Sequence, residues 1–449
     1  MLKHVRLMCR APRCIDQGML FIAKIRGFVA SIDFNLILIL FLSCNSKQSK
    51  RIDYPFCLAD GKITTLSRVS PSPGFLCLKR FDATFSYALC LYQTMRYIIL
   101  SLLLECSFCS IAQPSIQTDT LSFIFEGKKL TGLLDLPINE RPVGMVLLIP
   151  GSGKTNMVEG NGYYKRLRRF FAEQGLACFV WDKPGCGKSE GAYDDGDIPT
   201  SAREAIAAIN TLKSGNIPGS DKIGLWGLSR GGWVCPQIIE LYPSIAFWIS
   251  VSGPGPEENF GYLLERNFLA EGKSKQETDM LVKSWRSNLD IARHGGTFEE
   301  NQKATELIRN DPFYQSVTQG SPKPTKEAYI KWQKSLMSGQ NYPVNEKTGL
   351  QIYYPGLDKS LQKINCPVLA VFGEKDSQVD WQRTRELYNE TMGNHIPAIL
   401  TVRTFPDGNH GLFKCQTGGM REKIEKAEFC DGYLETMVDW LKEQVKSKN

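Results

Sequence analysis

The segment Gly227–Gly231 places a serine between two glycines, in the order G-L-S-R-G. It follows the apolar run Ile223–Trp226 directly and precedes a helix-like pattern that begins at Arg230. A strand-to-helix turn this tight strains the backbone of its central residue and leaves room only for small neighbours. The hydroxyl then projects over the positive end of the helix dipole. We predict that Ser229 is a nucleophile; the alternative is a glycine-serine turn without chemistry.

Two further residues complete the chemistry that such a serine needs. A serine hydroxyl is a weak nucleophile at neutral pH, and requires a base that a third group orients. The apolar run Val368–Phe372 leads into Asp376, and the run Ile399–Phe405 leads into His410. Serine, acid and histidine then follow in the chain order known for this kind of turn, each after a strand. We predict His410 as the general base and Asp376 as the acid that orients it.

Other acids and histidines of the chain are alternative candidates for these two roles. Glu374 and Asp380 are the nearest alternative acids, on either side of Asp376 in the sequence. The other three histidines lie in less suitable places: the N-terminal region, a charged helical segment, and the position before the last predicted strand. These three residues are, in the same order, His4, His294 and His395. A surface histidine is the simpler interpretation for His294 and His395.

The loop after Val143–Ile149 is rich in glycine and is a candidate oxyanion hole. A tetrahedral intermediate needs backbone N–H donors directed at its developing negative charge. We expect one donor from Arg230, directly after the nucleophile, and the other from Ser152, with Gly151 and Gly153 as neighbouring candidates. Glycines here would let the backbone approach a substrate closely. The alternative is a glycine-rich turn with no part in catalysis.

These residues can meet only if the strands that carry them lie side by side. Strand-like and helix-like patterns alternate along the chain, which predicts an α/β fold with a doubly wound, mostly parallel sheet. A hairpin of Thr120–Phe125 and Leu130–Leu136 comes first. The later predicted strands are Val143–Ile149, Ala177–Trp181, Ile223–Trp226, Ala246–Val251, Val368–Phe372 and Ile399–Phe405, and the helices between them are Tyr163–Gln174, Ala202–Leu212 and Arg230–Leu241.

The alternation stops at Gly253. The segment Glu257–Ser338 is charged and helix-like, and we interpret it as a helical cap at about 255–345, inserted between two strands of a domain that spans 113–449. A last amphipathic helix is predicted at about Met420–Val445. Three acidic residues of the cap could bind a substrate amino group, although a solvated helix face is the simpler interpretation: Glu257, Glu258 and Glu265.

The N-terminal region is a different kind of sequence. Residues 1–94 show no sustained helical or strand period, and we expect a non-native or unstructured extension. A signal peptide is predicted at 95–112, with Met95 as the natural start, the apolar run Tyr97–Leu104 and a small-residue cleavage site. A lipoprotein signal ending at Cys44 is the less favoured alternative. Both signals predict export to the periplasm or the exterior.

Charge gives no reason to expect a nucleic-acid partner. The formal net charge is +7, but residues 1–112 hold 14 basic and 6 acidic side chains, which leaves 40 basic and 41 acidic ones in the body. The basic character therefore belongs to the N-terminal region, and the body is close to neutral. The two apolar runs of that region, Phe34–Leu42 before Cys44 and Tyr97–Leu104, are both shorter than the ~20 residues that span a bilayer comfortably. We expect no stable membrane span in the mature chain.

The cysteines and glycine-rich motifs do not predict a cofactor. The six cysteines after residue 112 match no zinc-site spacing, and the chain has four histidines, so no metal is expected. Cys415 and Cys430 are candidates for a disulfide in an exported protein, with free thiols as the favoured alternative. Two G-K-[ST] matches, Gly153–Thr155 and Gly187–Ser189, have leucine and aspartate where a P-loop needs its first glycine.

Over about residues 120–445 these motifs resemble the bacterial α/β hydrolases grouped with the serine aminopeptidase-like (S33) enzymes. The motifs are Leu148–Gly153, Trp181–Ser189, Gly227–Gly231, Gly373–Asp376 and Gly408–His410. The closest resemblance is to carboxylesterases whose oxyanion loop has the sequence I-P-G-S-G in place of the more common H-G. The resemblance implies hydrolysis of esters of small acyl groups without metal or organic cofactor. Those esterases often continue with an Asp-rich stretch, whereas this chain has Lys-Thr-Asn, so no substrate preference is implied.

We therefore expect a serine hydrolase that cleaves carboxylic esters of small substrates through an acyl-enzyme. A peptidase or an acyl-thioester hydrolase with the same triad is the first alternative, because the shape of the cap decides the substrate. A non-catalytic binding protein on a hydrolase scaffold is the alternative from another class. Such proteins usually lose a triad residue, whereas Ser229, Asp376 and His410 are all present here.

Overall fold

The computed structural model divides the chain into two compact units, Met1–Cys109 and Ser110–Asn449. It describes residues 56–59, 62–65, 95, 116–160, 162–319, 321, 324–338, 343–345, 347–393 and 399–446. In the first unit, strands β1 (Phe56–Ala59) and β2 (Lys62–Thr65) pair antiparallel. Apart from this hairpin and Met95, the predicted extension, the signal peptide and the alternative lipoprotein site at Cys44 lie outside the described residues, so these stay predictions.

The second unit is built on an open sheet of eight strands. Their order is β10-β9-β8-β7-β5-β6-β4-β3, parallel from β10 to β6 and antiparallel for β4 and β3. β5, β6 and β9 are buried along their whole length because helices cover both faces, which explains their uninterrupted apolar sequences. The strands are β3 (Ile116–Phe125), β4 (Lys128–Pro137), β5 (Met145–Ile149), β6 (Ala177–Trp181), β7 (Ile223–Leu228), β8 (Trp248–Val251), β9 (Val368–Gly373) and β10 (Leu400–Phe405).

Helices pack on both faces of the sheet and confirm the predicted doubly wound α/β fold. One face is covered by α2 (Ile198–Ser214), α3 (Gly231–Leu241), α10 (Leu357–Gln362) and α11 (Trp381–Met392), whose buried side chains share one core with the sheet. The other face is covered by α1 (Tyr163–Glu173) and α12 (Tyr433–Lys446). The parallel strands therefore end at a common edge, where their following loops meet.

The predicted helical cap is present between β8 and β9. Its helices are α4 (Phe260–Ala270), α5 (Lys275–Arg293), α6 (Phe298–Ala304), α7 (Glu306–Arg309), α8 (Pro312–Val317) and α9 (Lys326–Met337). Both α5 and α6 begin with a capping box, in which a Ser or Thr and a Glu three residues later satisfy each other's backbone N–H groups. The cap has small apolar cores of its own, the larger around Leu264, Phe268 and Phe313.

The last helix is shorter than predicted. It begins at Tyr433, so the prediction of helix over residues 420–432 is wrong. The Glu422 carboxylate instead accepts backbone N–H groups of residues 416 to 418, and Gly418 and Gly432 have φ of 74° and 78°. Burial would raise the pKa of Glu422, but these bonds lower it to about 2. Because the side chain and the two left-handed turns hold the backbone in another path, a helix cannot extend through this segment.

An ion pair between Arg168 and Asp135 joins α1 to β4 inside the fold. The Asp135 side chain is fully buried and that of Arg168 is 4% exposed. Thr118 also donates to the same carboxylate, at 2.7 Å. Removing one partner of a buried ion pair leaves a charge without compensation, which destabilises more strongly than the pair itself stabilises.

Replacing Arg168 with methionine is expected to lower the free energy of unfolding by about 3 to 5 kcal/mol, because the Asp135 carboxylate stays buried without its partner. Chemical denaturation followed by tryptophan fluorescence measures the change. The double variant Arg168→Met, Asp135→Leu should recover most of the loss. Lys326→Met, which removes an exposed ion pair with Glu299, is the control and should show no measurable change. A loss for Arg168→Met no larger than the control's would contradict the prediction.

Candidate active site

Ser229 lies in the tight turn between β7 and α3, with φ of 52°. Few residues other than glycine adopt this left-handed conformation, so the turn holds strain at the predicted nucleophile. The glycines on either side are required by space: a Cβ on Gly227 would lie 2.7 Å from Cys235 Sγ, and one on Gly231 would lie 3.0 Å from the carbonyl oxygen of Ile149. The backbone N–H of Ser229 donates to Val251 O at 2.9 Å, which ties the turn to β8.

Asp376 and His410 are in direct contact. The distance from His410 Nδ1 to Asp376 Oδ2 is 2.8 Å, the Asp376 side chain is fully buried, and the imidazole is 13% exposed. The other carboxylate oxygen accepts the backbone N–H groups of Gln378 and Val379, at 2.8 and 3.0 Å. A carboxylate held this way favours the tautomer with the proton on Nδ1, so that Nε2 can accept a proton.

Ser229 and His410 lie in loops at the same edge of the sheet, after β7 and β10. Within the described part of the chain, no hydrogen bond joins the Ser229 hydroxyl to the imidazole. The structure therefore contains one of the two hydrogen bonds that a Ser–His–Asp triad uses. Catalytic hydrogen bonds are often long without substrate and shorten in the substrate complex, so this geometry is compatible with a triad.

The alternative acids and histidines have other partners. Glu374 accepts the hydroxyl of Thr404 at 2.7 Å, and Asp380 accepts the backbone N–H of Arg383 as the N-cap of α11. His294 ends α5 in the cap, where its Nδ1 lies 2.7 Å from Asp290 O. His4 and His395 lie outside the described residues. Among the candidate acids, Asp376 is the one that contacts His410.

The predicted oxyanion loop lies against the serine turn. A Cβ on Gly151 would be 3.3 Å from Ser229 Cβ, so the two backbones are in close contact. Gly153 donates its N–H to Asp195 Oδ2 at 2.9 Å and is not available to a substrate. Burial raises the pKa of Tyr164 to about 12, opposed by a hydrogen bond with the backbone of Gly151. Among the described residues, neither of the two predicted donors has a protein acceptor for its N–H; these are Ser152 and Arg230.

A set of charged side chains that the sequence motifs did not predict lies behind this loop. Lys183, which is 5% exposed, donates from Nζ to Gly151 O at 2.7 Å, to Gly153 O at 3.0 Å and to the Asp195 carboxylate. The Arg230 guanidinium donates to Asp195 O at 2.8 Å, to Gly196 O at 2.9 Å and to Ser201 Oγ at 3.0 Å. Lys183 lies two residues after the end of the buried strand β6, which is a signal for its place at this edge of the sheet but not for its partners.

The cap contacts the loop that carries Asp376. Tyr262 on α4 donates its hydroxyl to Asp376 O at 3.0 Å. Asn267, also on α4 and 1% exposed, donates to Ser377 O at 3.1 Å and accepts the N–H of Met420 at 2.7 Å. Substitutions on α4 are therefore expected to affect the loop that carries Asp376.

Cys415 and Cys430 are both free thiols, so the disulfide considered for them is not formed. Within the ranges that the structure describes, no three His, Cys, Asp or Glu side chains are grouped so that they could hold a metal ion. In the same ranges, no helix combines the length and apolar character needed to cross a membrane.

Comparisons with known proteins place the chain in a family. Among solved structures it is similar to Est1E from Butyrivibrio proteoclasticus, solved with ferulic acid (16% identity, TM-score 0.40, covering 73% of this chain and 98% of that one). It is also similar to the esterase Pf2001 from Pyrococcus furiosus (14% identity, TM-score 0.43, covering 74% of this chain and 90% of that one). No curated protein matches the sequence. The family model described as "Serine aminopeptidase, S33" matches residues 140–414. The chain therefore belongs to the S33 serine aminopeptidase family of α/β hydrolases.

Proposed function

We propose that this protein is a serine esterase that cleaves carboxylic esters of small substrates through an acyl-enzyme intermediate. Membership of the family supports a hydrolase. The observation that carries the finer proposal is the 2.8 Å contact between His410 and Asp376, at the sheet edge where Ser229 occupies its strained turn. A base oriented by a buried carboxylate is what a serine nucleophile requires.

The proposed reaction has two steps. Ser229 Oγ attacks the ester carbonyl carbon while His410 Nε2 accepts the hydroxyl proton, and the N–H groups of Ser152 and Arg230 stabilise the oxyanion. The imidazolium then gives its proton to the leaving alcohol, and the acyl group stays on Ser229. A water molecule that His410 deprotonates attacks this acyl-enzyme, and proton return to Ser229 releases the carboxylic acid. Asp376 stays ionised and stabilises the imidazolium.

An ester is favoured over an aminoacyl substrate because the candidate amino-group ligands are engaged elsewhere. Glu257 forms an ion pair with Arg383 and accepts the hydroxyl of Thr348 at 3.1 Å. Glu258 accepts the backbone N–H of Gly261 at 3.0 Å, near the start of α4. The third candidate, Glu265, forms an exposed ion pair with Lys275. These contacts give the three acids structural roles. Each of the three carboxylates therefore already has a partner within the protein and is not reserved for a substrate ammonium group.

A substrate panel tests the proposal. The purified full chain is expected to hydrolyse p-nitrophenyl acetate and butyrate at rates at least about 100-fold above those for aminoacyl p-nitroanilides, because the three candidate acids for an ammonium group already have partners within the protein. A fluorophosphonate probe, which reacts with activated serines, should label the protein. Preferred cleavage of aminoacyl anilides would favour the peptidase alternative. Intact protein without label or turnover would favour a non-catalytic binding protein.

A further inference from the structure

We propose that Lys183 and Asp195 are positioning residues that orient the peptide groups on both sides of Ser152 and thereby aim the oxyanion-hole N–H at the substrate. The inference rests on the proposed function, because an oxyanion hole has a use only in acyl transfer or a related reaction. Lys183 and Asp195 both come from the segment 182–197, which lies next to the oxyanion loop in space but follows it by about 30 to 40 residues in sequence.

Lys183 orients the peptide group between Gly151 and Ser152. A trans peptide is planar, and its C=O and N–H point in opposite directions. Lys183 holds the C=O of Gly151 at 2.7 Å. The N–H of Ser152 therefore points away from the lysine, and it has no protein acceptor among the described residues.

The next peptide group is held from its other side. The N–H of Gly153 donates to the Asp195 carboxylate at 2.9 Å, so the C=O of Ser152 must point away from Asp195. Gly153 has φ of 96°, a left-handed conformation that lets the chain reverse between the two contacts. With both flanking peptide groups fixed, the backbone of Ser152 has little freedom to rotate.

Lys183 has no capacity left to bind a substrate directly. An ammonium group has three donors, and Lys183 uses them on Gly151 O, Gly153 O and the Asp195 carboxylate. Burying an ammonium group is costly unless it is paired and hydrogen-bonded. The loop geometry that satisfies this lysine is therefore strongly favoured over geometries that leave it unpaired.

The second predicted donor is tied to the same segment. Arg230 supplies its backbone N–H at the start of α3, while its guanidinium donates to the carbonyl oxygens of Asp195 and Gly196. Its side chain is buried, so this contact is shielded from water. The segment 195–196 thus contacts both sides of the oxyanion hole: the Ser152 side through the Asp195 carboxylate, and the Arg230 side through backbone carbonyls.

Lys183→Met tests the inference, because it removes the ammonium group and keeps most of the apolar stem. For a short phenyl ester we expect kcat to fall about 10- to 100-fold with KM within about 3-fold, since misaligned donors weaken transition-state binding more than substrate binding. Asp195→Asn keeps an acceptor for the Gly153 N–H but removes the charge that pairs with Lys183, so kcat should fall less, by about 3- to 10-fold. Lys273→Met is the matched control, because it breaks a Lys–Asp pair with Asp311 in the cap, away from the oxyanion loop.

A thionoester provides a readout that a general structural defect would not change. Its C=S group places sulfur in the hole, so the ratio of kcat/KM for the ester to that for the thionoester reports how well the hole fits oxygen. We expect this ratio to fall about 10-fold in Lys183→Met and to stay unchanged in Lys273→Met, with assays run well below each variant's Tm.

The outcomes separate the two proposals. A folded Lys183→Met or Asp195→Asn variant with wild-type kcat, or with equal losses on ester and thionoester, overturns the positioning role while wild-type esterase activity stands. A wild-type protein that hydrolyses no ester overturns the proposed function and this inference with it. If Lys183→Met does not fold, the ratio of kcat/KM for the ester to that for the thionoester is measured in Asp195→Asn instead, and an unchanged ratio there overturns the positioning role.

Discussion

Replacing Ser229 with alanine is expected to lower kcat for p-nitrophenyl acetate by about 10⁴- to 10⁶-fold. Without the hydroxyl no acyl-enzyme can form, and the remaining donors can only assist direct attack by water. KM should change little, because the hydroxyl contributes mainly to the reacting state. Steady-state assays measure the rate, and loss of fluorophosphonate labelling provides an independent check.

Ser252→Ala is a suitable control for this experiment. Ser252 also follows a strand at the same edge of the sheet and also has a positive φ, 49°, but it is fully buried and cannot reach a substrate. Its hydroxyl has no hydrogen-bond partner within the part of the chain that the structure describes, so alanine should be tolerated. If Ser229→Ala keeps a rate within about 10-fold of wild type, another residue is the nucleophile.

The second large effect is expected for Asp376→Asn, with kcat lowered about 10⁴-fold. The N–H groups of Gln378 and Val379 require an acceptor, so they should hold the carboxamide oxygen. The amide NH₂ then faces His410 Nδ1, which must accept, and the imidazole proton moves to Nε2. In that tautomer the base cannot take the serine proton.

Kinetics and nitrogen NMR of the imidazole check this prediction together. The rate should fall while the tautomer changes and the fold is retained. Asp380→Asn is the comparison, because Asp380 caps α11 and does not contact the imidazole. A normal rate for Asp376→Asn beside a severe loss for Asp380→Asn would mean that the acid was assigned to the wrong residue.

The sheet could be predicted from sequence because its central strands are buried on both faces. Runs such as Met145–Ile149 and Ala177–Trp181 contain no polar interruption, and glycine or polar loops bound them. The contact between Asp376 and His410 followed from topology, since both residues come after neighbouring parallel strands. Chain order and strand ends were enough to place these two side chains together.

Features that depend on loop-to-loop contacts were not predictable. The period of residues 420–432 is compatible with a helix, and only the contacts of Glu422 and the backbone of Gly418 show another path. Lys183 was part of a recognised motif, yet its role depends on two carbonyl groups about 30 residues earlier in the chain. Such contacts have no local signature, because they depend on how two irregular segments pack.

The positive φ of Ser229 has a consequence for directed evolution. A left-handed conformation costs a residue with a Cβ about 1 to 2 kcal/mol, whereas glycine adopts it freely. Glycine at position 229 would therefore relieve strain and remove the hydroxyl in one step. Selection for thermal resistance alone would favour inactive proteins at this position, so libraries that include it need a turnover screen alongside heat challenge.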